Sequence, residues 1–159
     1  ENINKYGVEI NEEAINIATQ NGLEIFKSSK DLPDNFFDLI ISNNALDHTE
    51  NPLGELKELY RSLKKDGKIC IVVSCRNKTY LYDEFEKDYI FYSFAPSNLG
   101  NILNEAGFKV LESKSFIYKW VPFYILFQKL FGWKIFNLAC KIYGRISNKW
   151  WQTRAVAIK

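Results

Sequence analysis

Methionine is absent from the 159 residues, histidine occurs once, and the three cysteines, Cys70, Cys75 and Cys140, form no C-x-x-C pair. Each absence excludes something. An odd cysteine count without paired spacing argues against a disulfide framework and a zinc cage, and fits reduced, cytoplasmic surroundings. A single histidine excludes a multi-histidine metal centre, so no metal is expected. Long hydrophobic runs are missing too: the longest, residues 121–127, is interrupted by Pro122 and falls far below the ~20 apolar residues that span a membrane. No charged-then-apolar leader opens the sequence. The lack of Met, with residues 1–5 running straight into a strand-like segment, gives the expectation that the natural polypeptide begins further upstream.

What is present describes a packed protein. Apolar residues make up 47% and aromatics 16%, too much for a disordered chain. The length fits one domain or most of one, read as residues 1–159 with an aromatic and basic helical insertion at about 118–148. The net charge of +2 predicts neither nucleic acid nor membrane, but its distribution is uneven. Residues 1–108 carry 11 basic and 18 acidic side chains, whereas 109–159 carry 10 basic side chains and the single acid Glu112.

Along residues 1–112, short apolar runs alternate with helical patterns at the spacing of parallel βα units. Residues 6–10 read as a strand; Asn11 caps a helix with Glu12 and Glu13 in its first turn, ended by Asn21-Gly22. Residues 23–26 form a second strand, and 37–42 a continuous apolar strand of the kind buried on both faces. Asn51-Pro52 opens a helix in which Leu53, Leu56, Leu59, Tyr60 and Leu63 recur every three or four residues. Asp66-Gly67 then turns the chain into a central strand at 68–74. Residues 76–94 read as an aromatic, acidic excursion outside the sheet. A helix begins at Ala95-Pro96 and stops at Gly107, followed by a strand at 108–116, a helical region at 121–146 bent near Gly132, and a last strand at 150–158.

The informative side chain is Glu9, at the tip of the first strand and directly before a helix. In nucleotide-binding α/β folds a carboxylate there accepts hydrogen bonds from both ribose hydroxyls, because a diol offers two donors. The alternative is a solvent-facing acid favourable to the dipole of the following helix. His48 has three open roles: a general base with a pKa near neutrality, a non-catalytic wall of the pocket, or a structural residue at a helix start. Asp47 is placed to orient it if the two neighbours face each other.

The order Phe37-Asp38-Leu39-Ile40-Ile41-Ser42-Asn43-Asn44-Ala45-Leu46-Asp47-His48, then Asn51-Pro52, a helix, and Leu63-Lys64-Lys65-Asp66-Gly67-Lys68-Ile69-Cys70-Ile71-Val72-Val73 resembles class I S-adenosylmethionine-dependent methyltransferases of the small-molecule type. Ala95-Pro96 through Gly107-Phe108-Lys109-Val110 is similar to the family's later helix and sixth strand. The resemblance covers most of residues 6–112. It implies a Rossmann-like α/β fold, a mostly parallel sheet with helices on both faces and an antiparallel last strand, with S-adenosylmethionine as cofactor. Residue by residue, it implies that Glu9 binds the ribose and Ile10 packs on the adenine. Ser28 and Ser29 would stand where relatives often place an Asp on the adenine amine, and Asn43, Asn44 and Ala45 would line the methionine end. The acceptor would be a small molecule or a lipid- or sugar-linked group, with the protein mainly aligning nucleophile, methyl and sulfur.

One departure stands out. The family's amino-terminal strand, glycine-rich turn and helix have no counterpart here, and in the strand order 3-2-1-4-5-7-6 the missing strand is central. Two unpaired edges are therefore expected in mid-sheet, with weak cofactor binding by these residues alone and activity in the longer polypeptide. Two alternatives remain open: an NAD-binding Rossmann domain, and a degenerate methyltransferase fold used as a membrane-surface or partner-binding module.

In 121–146, Lys134, Asn137, Lys141 and Arg145 form a narrow polar stripe, with Trp133, Ile135, Phe136, Leu138, Ile142 and Tyr143 around the rest. That helix is open to capping the substrate pocket, to contact with a second copy in a homo-oligomer, or to peripheral contact with an anionic inner-membrane surface. Nucleic acid is not expected, since the basic residues are interleaved with aromatics and no recognition motif is present. The acids Asp83, Glu84, Glu86 and Asp88 lack calcium-loop spacing and read as a solvated flank.

Overall fold

The computed structural model describes residues 3–76, 84, 89–147 and 151–159. Six strands and four α-helices follow in the order β1 (Tyr6–Val8), α1 (Glu12–Gln20), β2 (Glu24–Phe26), β3 (Phe37–Asn43), α2 (Pro52–Ser62), β4 (Leu63–Ser74), α3 (Pro96–Glu105), β5 (Lys109–Ile117), α4 (Tyr124–Ser147) and β6 (Trp151–Ile158). Short 3-10 turns at Ser29–Asp31 and Leu46–His48 follow β2 and β3. Most of the excursion at 76–94, including Asp83, Glu86 and Asp88, lies outside the described residues.

The helix starts are chemical. Asn11 holds an extended backbone while its Oδ1 accepts from the N–H groups of Glu13 (3.0 Å) and Ala14 (3.1 Å), satisfying two donors left free by the first turn of α1. Asn51 Oδ1 does the same for Gly54 N–H at 3.0 Å, with Pro52 at the first helical position of α2. After α3, Gly107 takes φ +108, and an added Cβ would stand 3.2 Å from the Tyr60 ring. Only glycine serves there without strain.

The strands form two sheets, β1-β2 and β3-β4-β6-β5. β1 and β2 are parallel, as are β3 and β4. β6 runs antiparallel to both β4 and β5, so it is the one reversed strand of four. Register is set by the core: Ile69, Ile71 and Val73 point alternately from β4 into it, joined by Ala155 and Ala157 of β6, Leu56 of α2, and Leu99 and Leu103 of α3. All eight are at most 1% exposed, which places α2 and α3 over one face of the larger sheet.

The other face differs from the sequence expectation for 37–42. Ile40 packs against the core, but Leu39 and Ile41 are 55% and 71% exposed, so β3 is not buried on both faces. The physical reason is that α2 and α3 cover the face carrying Ile40, whereas among the described residues no helix packs over the opposite face of β3, which is also an edge strand hydrogen-bonded there only to β4. β1 is likewise bonded only to β2. The two sheets meet through rings, with Tyr6 of β1 edge-on to Phe36 (5.3 Å) and Phe37 (5.6 Å).

α4 bends where glycine permits it: Gly132 has φ 73 and ψ 172, dividing the helix into two halves. The second half is seated by Phe136, Cys140 and Gly144, spaced four apart, and a Cβ on Gly144 would come within 3.2 Å of Ile117.

Candidate functional site

Between β1 and β3 lies an open groove of about 1020 Å³, lined along one side by Tyr6, Gly7 and Val8 and along the other by β3 from Phe37 to Asn43. Its carboxyl end is formed by Asn43, Ala45, Leu46 and Thr49, and Ser29 and Leu32 reach it from the turn after β2. In open α/β sheets ligands bind in the crevice beyond the carboxyl ends of the strands, which here is the end bordered by Asn43, Ala45, Leu46 and Thr49; the length of the groove between β1 and β3 is the place that the family resemblance gives to a central strand.

Ser29 is the chemically conspicuous member. It is 4% exposed, it lines the groove, and its Oγ has no hydrogen-bond partner. A buried hydroxyl in that state carries a desolvation cost that a ligand atom relieves. Ser28, by contrast, is used locally: its Oγ accepts from Lys30 N–H at 3.2 Å and caps the 3-10 turn.

Glu9 follows the last residue of β1 and anchors it by donating its backbone N–H to Phe26 O (3.1 Å). Its Oε1 accepts from the N–H groups of Ile10 (2.8 Å) and Asn11 (2.9 Å), which orients the carboxylate at the entry to α1. Neither Glu9 nor Ile10, which is 83% exposed, lines the groove; both stand just past the end of β1. Asn43 and Ala45 do line it. Asn44 does not: at φ 49 it donates its N–H to Val72 O (2.8 Å), while its Oδ1 accepts from Gln152 Nε2 (3.2 Å), toward β6. The left-handed conformation reverses the direction taken by its neighbours, and Asn tolerates it.

His48 is exposed in the turn after β3, with Nδ1 2.8 Å from Tyr89 O. A carbonyl only accepts, so Nδ1 carries the hydrogen and Nε2 keeps its lone pair. Asp47 does not face it. Asp47 is fully buried; its Oδ2 accepts from Ser74 N–H (3.0 Å) at the end of β4, and its backbone carbonyl accepts from Phe91 (2.9 Å) and Tyr92 (3.2 Å). Successive residues of a turn point different ways, which is why Asp47 joins three segments instead of orienting the imidazole.

A methyltransferase domain model matches residues 2–113, the stretch that carries every groove residue named above. The chain belongs to the methyltransferase domain family. An uncharacterized protein of Methanocaldococcus jannaschii is 33% identical over 124 residues, covering 72% of this chain and 60% of that protein. Among solved structures, an S-adenosylmethionine-dependent methyltransferase of Methanosarcina mazei superposes with a TM-score of 0.67 at 16% identity, over 97% of this chain and 81% of that one. The [4+2]-cyclase SpnF superposes at 0.62 with 17% identity, over 97% of this chain and 65% of that one. The chain thus spans about three fifths of the curated relative it matches. These structural likenesses carry the architecture, and the cyclase illustrates that this methyltransferase architecture is not tied to one reaction.

Within the methyltransferase domain, two features escaped sequence reasoning. The burial of Ser29 depends on the path of the turn after β2, and no periodic signal marks it. Asp47 as an inward tie had a faint signal, an acid directly after apolar Leu46 in a segment rich in small and polar residues. Among the described residues no group of three or more His, Cys, Asp and Glu side chains is placed to hold a metal ion.

Proposed function

We propose that the intact polypeptide is an S-adenosylmethionine-dependent methyltransferase acting on a hydroxyl or amine of a small molecule or of a lipid- or sugar-linked acceptor. The observation carrying the reading is the carboxyl end of the groove in this methyltransferase domain, bordered by Asn43 and Ala45 with the unpartnered buried hydroxyl of Ser29 in its lining, while the oriented acid Glu9 stands just past the end of β1, outside the groove. The residues fit the cofactor's donor set. Glu9, held by two backbone N–H groups through Oε1, keeps Oε2 for ribose hydroxyls. Ser29 Oγ supplies a polar contact in the groove, and Asn43 and Ala45 border its open end. The cofactor supplies, when bound, a methyl group on a cationic sulfur that departs as a neutral thioether.

The chain's own work is positioning. Leu46 and Thr49 border the groove where the acceptor approaches, and alignment of a nucleophile accounts for a large share of such a rate enhancement. His48 Nε2, whose lone pair is free because Nδ1 is tied to Tyr89, would take the acceptor's proton; His48 stands between the groove residues Leu46 and Thr49 in sequence and does not itself line the groove. Support for that role is the fixed tautomer and the position after β3.

Calorimetry of the intact polypeptide with S-adenosylhomocysteine tests the assignment. Glu9→Ala is expected to lose about 1.5–3 kcal/mol of binding, the scale of a charge-assisted hydrogen bond. An unchanged affinity removes Glu9 from the site. His48→Asn is expected to leave that affinity intact while lowering the methylation rate.

A further inference from the structure

We propose that α4 is a membrane-surface helix that docks parallel to an anionic lipid bilayer. The proposal rests on the face of α4 turned away from the protein, and it stands whether or not the methyltransferase reading holds. In the half after Gly132, Phe136, Cys140 and Gly144 are buried against the protein. On the opposite side Ile135, Leu138, Ile142 and Ile146, spaced 3, 4 and 4, form a second apolar row that is 52%, 59%, 48% and 77% exposed. At 100° per residue these four share one face, centred about half a turn from the seated residues. Nothing in the described chain covers them.

Beside that row runs a cationic one. Lys134, Lys141 and Arg145 each precede a member of the apolar row by one residue, and all three are exposed. No acidic side chain occurs anywhere in 113–159. The first half of α4 extends the pattern, with Leu126 and Leu130 58% and 67% exposed and the exposed Lys129 between them. An exposed apolar row bordered by basic residues and lacking acids complements one surface in particular, a bilayer whose headgroups are negative and whose acyl boundary accepts apolar side chains. Nucleic acid offers the charge but nothing for the apolar row. A span is excluded for this element, since no helix among the described residues is long and apolar enough to cross a membrane.

The test is flotation of the intact protein with vesicles of phosphatidylcholine alone and of phosphatidylcholine mixed with phosphatidylglycerol. Binding is expected to the mixed vesicles only, and to weaken with added salt. Each basic residue near the headgroups contributes roughly fivefold in affinity, so the triple variant Lys134→Gln, Lys141→Gln, Arg145→Gln is expected to bind on the order of a hundredfold more weakly. Leu138→Ser with Ile142→Ser is expected to lose at least about tenfold, the loss of two side chains from the acyl boundary. All five substitutions are at exposed positions, and an unchanged thermal melt verifies the fold. Equal binding to both vesicle types, or none to either, overturns the proposal. So does light scattering that shows a dimer converted to monomer by the Leu138 and Ile142 substitutions, which would assign the row to a second copy of the chain.

Discussion

Asp47 is where fold and site are most tightly joined, and its replacement separates two readings of an acid beside a histidine. Its Oδ2 receives Ser74 N–H at 3.0 Å, and the side chain is wholly shielded from water. Asp47→Ala removes the acceptor of the half-buried Ser74 N–H, and with it an Oδ1 that is buried without a partner, so the net loss is expected at about 1–2 kcal/mol. For a domain of this size that lowers Tm by ~2–8 °C. Asp47→Asn keeps an oxygen for Ser74 at nearly the same volume, and most of that stability is expected to return. The assay is a thermal melt of the three proteins followed by methylation rate against pH. A structural tie predicts that Asp47→Asn leaves the pH profile where it was, since the carboxyl does not touch His48. Refutation takes either of two forms: Asp47→Ala melting with the wild type, or Asp47→Asn shifting the pH profile at unchanged stability.

Three further outcomes follow from the same geometry. Ser29→Ala removes a buried hydroxyl that lacks a partner, so the ligand-free protein is expected to melt no lower than wild type while S-adenosylhomocysteine affinity falls about three- to tenfold by calorimetry. Gly107→Ala forces a side chain into φ +108 and against the Tyr60 ring, and is expected to cost about 1–3 kcal/mol in a urea titration. The ammonium of Lys114 (2.7 Å) and then the guanidinium of Arg154 (2.6 Å) hold the Glu112 carboxyl below its usual range. That contribution is present above the ordinary carboxylate pKa and is lost as pH falls through the depressed one. The melting difference between wild type and Glu112→Gln is therefore expected at neutral pH and to close in acid.

Local chemistry made much of the architecture legible. Asn11, Asn51-Pro52 and Gly107 mark helix ends because caps act on their own turn, and those boundaries stand in the structure to within a residue or two. The apolar run after Asp66-Gly67 is long enough to need burial, and it forms the second half of β4; Asp66-Gly67 lies within that strand, at a register shift against β3, and not before its start. Gly132 does bend the helix. What stayed hidden depends on contacts distant in sequence. The run in β3 reads as doubly buried because hydrophobicity reports a requirement for cover without showing whether a neighbour supplies it. In α4, Lys134, Asn137, Lys141 and Arg145 read as one stripe, yet Asn137 faces inward enough to accept from the Tyr118 hydroxyl at 2.6 Å. Periodicity locates a stripe only to within a residue's width, and the seat of the helix decides which edge is wet. At the groove, Glu9 is visible as an acid at a strand tip, whereas Ser29 acquires its meaning only when the turn after β2 folds over it.

The seam between the two sheets has a mechanical consequence. Among the described residues no ladder of backbone hydrogen bonds crosses it, α1 contributes no fully buried residue, and edge-on aromatic rings at one end make the visible join. The smaller sheet is thus joined to the larger, among the described residues, by ring contacts and no shared ladder, and any strand or ligand lodged along the opening adds contacts to both. Occupancy and cohesion then rise together: whatever fills the cleft also decides how firmly the first twenty-six residues belong to the rest of the molecule.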